Sequence, residues 1–206
     1  MFFSYPMGRN TLEDAVDKIN IRERIEFERY CSDYKIWEML RSAYDDSVRI
    51  ETFWGEIDRD AFIERTKNTP LPAKNKVFDT IVWKKGDRAI AECLAMYEIR
   101  CPLDGDTVDL SAHVRFHYRV QCINETWKIV FVTPIFEKDT LFSCYTDGTF
   151  RVSAETLKQF RASYCNLMYL ATRYGETAND QMIGEDHPEM VQKLYEESDR
   201  WVEMKI

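Results

Sequence analysis

The sequence predicts an α+β fold, with helices at both ends of the chain and an antiparallel meander between them. Three observations carry this: an apolar stripe at helical spacing over residues 11–41, long stretches of alternating polarity over 76–136, and a return to helical spacing after Ser153. Apolar residues repeating every three or four positions line one helix face, whereas strict alternation lines one sheet face. Helices that precede a run of strands pack on one face of the resulting sheet.

Thr11 can cap the first helix, and Glu13 and Asp14 fall in its first turn, where the positive end of the helix favours carboxylates. Ile21, Ile25, Phe27, Tyr30, Cys31, Tyr34 and Trp37 form the stripe. Ser32 and Asp33 compete for backbone hydrogen bonds, so the spacing predicts a long helix to about Ser32 and a shorter one from Asp33 to Ala43. Asp33 is then either a cap between two helices or a carboxylate aimed into a pocket. "SVRIETFWG" reads as a strand ended by glycine, and "DRDAFIERTK" as a short helix capped by Asp58. Two prolines make "NTPLPAK" a loop.

The stretch "KVFDTIVWKKGDRAIAECLAMYEI" reads as two strands joined by a turn at Lys85, Gly86 and Asp87. The next strand, Val108 to Cys122, alternates: Leu110, Ala112, Val114, Phe116, Tyr118 and Val120 share one face, and His113, Arg115, His117 and Arg119 share the other. "INET" turns the chain into a last strand, "WKIVFVTPIF". Ala89, Ala91, Cys93 and Ala95 put a row of small residues on the apolar face, which leaves volume for a ligand or room for a helix. Residues 153–175 read as one helix from a cap at Ser153 to a breaker at Gly175, and residues 184–202 as another with Pro188 in its first turn.

The formal net charge of −8 argues against a nucleic-acid binder, which needs cations to neutralise phosphates. The six cysteines are scattered with no C-x-x-C pair, and the three histidines lack a zinc-ligand spacing. No glycine-rich phosphate loop is present. "MFFSYPMGRN" has too short an apolar run, and no basic region before it, for a secretory leader. Free thiols in a cytoplasmic protein are the expectation, and no apolar window approaches the ~20 residues of a membrane span.

A long helix, Asp33 with Trp37 four residues on, "SVRIETFWG", a short helix, a hairpin with "KKGDRA" and a closing "NETWKIV" together resemble the SnoaL-like group of the nuclear-transport-factor-two-like superfamily. The scytalone dehydratases are the enzymes it resembles best. The resemblance spans roughly residues 12–141, and the last helix is similar to a tail of longer SnoaL-like proteins. It implies a cone-shaped barrel over residues 1–145, in which a curved sheet wraps the N-terminal helices and leaves an apolar pocket at the open end. Residues 146–206 would be a helical extension docked on that body or on a second subunit. It further implies no cofactor, no metal, a hydrophobic small-molecule ligand and a homodimer or homotrimer.

In the family's dehydratases an aspartate at the Asp33 position works with a histidine, which falls here on Lys76, with Asn75 beside it. The resemblance therefore implies Asp33 as acid or base, with Lys76 and the Tyr97 phenol stabilising an oxyanion. The alternative for Lys76 is a solvated strand end. Tyr30, Trp54, Phe116 and Tyr118 are the expected substrate-binding residues. His113 and His117 are expected on the outer sheet face, in solvent or at a dimer interface, and His187 at the surface. The expected function is a dehydratase, isomerase or cyclase acting on a polyketide-, terpenoid- or steroid-like molecule. A non-catalytic ligand-binding or assembly protein of the same fold is the alternative.

Overall fold

The computed structural model describes residues 10–177, 179 and 181–204. The expectation that the chain opens without a leader falls on residues 1–9, outside those described. The chain begins with α1 (Leu12–Asp33) and α2 (Trp37–Ala43), followed by a hairpin of β1 (Tyr44–Thr52) and β2 (Gly55–Ile57). After α3 (Arg59–Asn68) come four long strands: β3 (Ala73–Lys85), β4 (Arg88–Leu103), β5 (Asp106–Ile123) and β6 (Thr126–Ser143). The remainder forms α4 (Ala154–Leu157), a tight turn at Ala162–Tyr164, α5 (Cys165–Arg173), a short β7 (Ile183–Gly184) and α6 (Pro188–Glu203).

Thr11 caps α1 as its sequence suggests: its hydroxyl accepts from the backbone N–H of Asp14 at 3.0 Å. Helix α1 ends at Asp33, and the chain turns at Lys35, where φ is +62°. The N–H of Ile36 then turns back to the carbonyl of Cys31 at 2.9 Å. Helix α3 has the expected cap, with Asp58 accepting from Ala61 N–H at 2.8 Å.

The strands lie in the order β2-β1-β6-β5-β4-β3, with β7 beside β6. The meander β3 to β6 is antiparallel, but β1 and β7 each pair with β6 in parallel. Both arrive from helical segments rather than hairpin turns, so neither is held to the antiparallel direction. Register breaks at Phe78 on β3, and at Glu137 and Val130 on β6 opposite β5, bend the sheet around α1. Ile21 and Ile25 of α1 are fully buried against its inner face. Ala89, Ala91 and Cys93 are buried there as well, and none of them lines the cavity described below. The row of small residues makes room for the helix, not for a ligand.

One expected helix is broken. Residues 153–175 form two helices separated by the extended residue Arg161, with φ −67° and ψ 140°. Arg161 is held there by Asp186, at 2.7 and 3.2 Å, and by the carbonyl of Met182 at 2.7 Å. Asp139 on β6 starts α5, accepting from Leu167 N–H at 2.6 Å and the Asn166 amide at 2.9 Å. Tertiary contacts thus outweigh the helical pattern. Helix α6 lies on the outer face, where Val191, Leu194 and Val202 form a second apolar cluster with Ile90, Phe131 and Ile135. No described helix is long and apolar enough to cross a membrane.

Candidate active site

At the open end of the sheet, the last turn of α1, the end of β1, α3 and the start of β3 enclose a cavity of about 150 Å³. Asp33 reaches it as the last residue of α1, only 8% exposed. Both carboxylate oxygens are held by one residue of β3: Oδ2 accepts from Asn75 N–H and Oδ1 from the Asn75 side-chain amide, each at 2.7 Å. Lys74 Nζ donates to the Asp33 carbonyl and lies 4.2 Å from the centre of the Tyr34 ring. Helix α2 starts at Ile36 without a side-chain cap. Asp33 is therefore a cavity carboxylate, not a helix cap.

Burial raises the Asp33 pKa above its usual 3.8, while the two Asn75 bonds and then the charges of Arg29 and Lys74 pull it part of the way back. The folded chain then binds this proton more tightly than the unfolded chain does. Asp33 accordingly adds stability as pH falls through its raised pKa, opposite in sign to a salt-bridged aspartate. In a ¹³C titration of the carboxyl, its midpoint is expected above 3.8, and Asn75→Ala, which removes one donor, should move it higher. A midpoint at or below 3.8 would contradict this reading of the site.

Arg29 lies one turn before Asp33 on α1, so both face the cavity. Its guanidinium is buried over the Phe116 ring, 4.5 Å from the centroid. Nε donates to Glu28 Oε2 at 2.5 Å and Nη2 to Oε1. Glu28 is fully buried and also accepts from Tyr44, and from Tyr118 at 3.0 Å. Burial alone would lower the Arg29 pKa, but the Glu28 carboxylate outweighs it and keeps the cation charged. Tyr97 on β4 faces Asn75 across the ladder. Burial, reinforced by the Asp33 charge, raises its pKa well above the phenol range, so it is a protonated donor. Asn75 Oδ1 is buried with no hydrogen-bond partner, a free acceptor beside Asp33.

Of the residues predicted for the site, Asp33, Tyr97, Trp54 and Phe116 line this cavity. Lys76 does not: it is exposed on the opposite face of β3, and Asn75 occupies the inward position. Tyr30 lies on the outward face of α1, 51% exposed, its ring tilted at 33° to that of Tyr34 with centroids 4.5 Å apart. Tyr118 is fully buried behind the cavity as a donor to Glu28. His117 is on the outer face as expected, but α6 covers it completely, so it is neither in solvent nor free for an interface. Arg29 and Asn75 were not expected. Helical spacing from Asp33 points to Arg29, and strand alternation from Ala73 and Val77 points to Asn75. No group of three or more His, Cys, Asp or Glu suited to a metal ion occurs among the described residues.

No family model matches the sequence, and no curated protein does. Solved structures do match in shape. A hexachlorocyclohexane dehydrochlorinase is 11% identical, with 68% of this chain and 99% of that one covered and a TM-score of 0.56. A candidate scytalone dehydratase from Novosphingobium aromaticivorans is 13% identical, with 68% and 92% covered and a TM-score of 0.53. At such identities the likeness shows the fold alone. The shared fold is an α+β cone, a curved antiparallel sheet wrapped around the N-terminal helix.

Proposed function

We propose that the cavity is the active site of an enzyme that moves protons on a small hydrophobic substrate, as a dehydratase or isomerase. The observation that carries this reading is a buried carboxyl of raised pKa one helical turn from a buried, charged guanidinium. In the proposed chemistry Asp33 removes a proton from carbon next to a carbonyl. Arg29 stabilises the enolate oxygen as charge develops, which a fixed cation does well away from water. The proton that Asp33 has taken then passes to the leaving hydroxyl, which departs as water, while the Tyr97 phenol hydrogen-bonds to that oxygen. A substrate bearing both a carbonyl and a hydroxyl uses all three groups.

Size narrows the substrate. A dry cavity of about 150 Å³ holds a benzene-sized molecule, and this one has that volume. One ring is favoured over the polycyclic skeletons expected from the resemblance. Thermal-shift titrations should then show saturable stabilisation by single-ring hydroxyketones and none by steroids. Steroid binding without single-ring binding would overturn the size argument. A second reading, ligand binding without turnover, has support in that no histidine lines the cavity and Asn75 occupies both Asp33 oxygens. Stabilising ligands recovered chemically unchanged, with no exchange of their hydrogens, would favour it.

A further inference from the structure

Helix α6 lies across β4, β5 and β6, and one buried polar cluster fastens it there. His117 on β5 is fully buried. Its Nε2 lies 2.8 Å from Ser198 Oγ on α6, and its Nδ1 lies 3.3 Å from Glu92 Oε1 on β4. Tyr195 of α6 donates to the same Glu92 oxygen at 2.5 Å, and Arg119 Nε donates to Ser198 Oγ at 2.9 Å. Ser198 thus accepts from Arg119 and has its own hydrogen to give, and His117 Nε2 is the acceptor beside it. The tautomer that has Ser198 donating to Nε2 is a neutral imidazole with its proton on Nδ1, facing Glu92.

We propose that α6 is an acid-released strap: a proton taken up by His117 adds a cation between Arg115 and Arg119 in a site closed to water and turns the Ser198 hydroxyl hydrogen away from Nε2, which weakens the fastening, lifts α6 and bares Ile90, Phe131 and Ile135. The charges facing the imidazole suit this role. Arg115 and Arg119 on its own strand oppose a further cation, and Glu92, itself 3.8 Å from Arg115, compensates it in part. The remaining carboxylates are engaged with those arginines: Glu137 and Glu185 with Arg115 at 3.1 and 2.8 Å, and Glu197 with Arg119 at 3.7 Å. Burial holds His117 below its ordinary range, with Glu92 opposing the shift and Arg119 and Arg115 adding to it. Once α6 lifts, the imidazole regains an ordinary value near 6.5. Proton uptake therefore favours the released state. The strap is closed above that pH and loosens below it, by at most about tenfold in the docking equilibrium per pH unit.

Freed of α6, the outer face presents a contiguous apolar surface, for which self-association of the chain is the expected consequence. Hydrogen exchange on the full chain at pH 7.5 and 5.5, corrected for intrinsic rates, tests the proposal independently of any turnover. Protection of the α6 amides should fall by up to about tenfold as pH drops one unit below 6.5, while β4 and β5 keep theirs. His117→Gln, which cannot take up the proton, should remove the pH dependence. Unchanged α6 protection, loss shared equally by helix and sheet, or the same acid loss in His117→Gln would each overturn the proposal. Should that variant not fold, the ¹⁵N titration of His117 in the wild-type chain decides. A midpoint coinciding with α6 release supports the strap, and a midpoint apart from it does not.

Discussion

Glu28→Gln is expected to cost the fold about 3–5 kcal/mol, because it leaves a buried guanidinium without its countercharge. Glu28 is the hub of a cluster closed to water: Arg29 pairs with it, and the hydroxyls of Tyr44 and Tyr118 both donate to it. Glutamine keeps the volume, so the loss reports charge and hydrogen bonding rather than a void. For a chain of this size it corresponds to a fall in Tm of roughly 6–20 °C. The double variant Glu28→Gln, Arg29→Met should recover a good part of that loss, since two neutral groups no longer carry an uncompensated charge. A single-variant loss under about 1 kcal/mol, the range of an exposed pair, would contradict the buried-pair reading.

Asp33→Asn is expected to lower proton transfer on bound substrate by about 10²–10⁴-fold, the usual contribution of a positioned acid or base. The fold should largely survive. An asparagine oxygen can still accept from one Asn75 donor, but its amide meets the other donor of Asn75 and forfeits that bond. The two variants separate the roles of neighbouring groups on one helix: Glu28 acts on stability, Asp33 on chemistry.

Much of the architecture was legible because periodicity is a packing signal. The inner rows of β4 and β5, the caps at Thr11 and Asp58 and the break after Asp33 all follow from residue type and spacing. The site was legible only in part. The resemblance puts Lys76 inward, with a solvated strand end as the alternative, and the inward set downstream, Thr80 and Val82, has the same parity as Lys76. The bulge between Val77 and Asp79 inserts one residue, reverses that parity and brings Asn75 in instead. Tyr30 misled for another reason: α1 carries apolar residues on two faces, and spacing alone does not say which one meets the sheet. Arg29 beside Glu28 looks like a solvated charge pair in sequence. Its burial depends on Phe116 and Tyr118, which arrive from a strand far along the chain.

As the base of the cavity, Asp33 should move protons on a single-ring ketone held there. Exchange of α-hydrogens for deuterium in bound cyclohexanone-class ketones, followed by NMR in D₂O, tests it most directly. Saturable exchange is expected with the wild-type chain, reduced at least about a hundredfold in Asp33→Asn with ligand affinity retained. Saturable binding with equal exchange rates in the two proteins would contradict it.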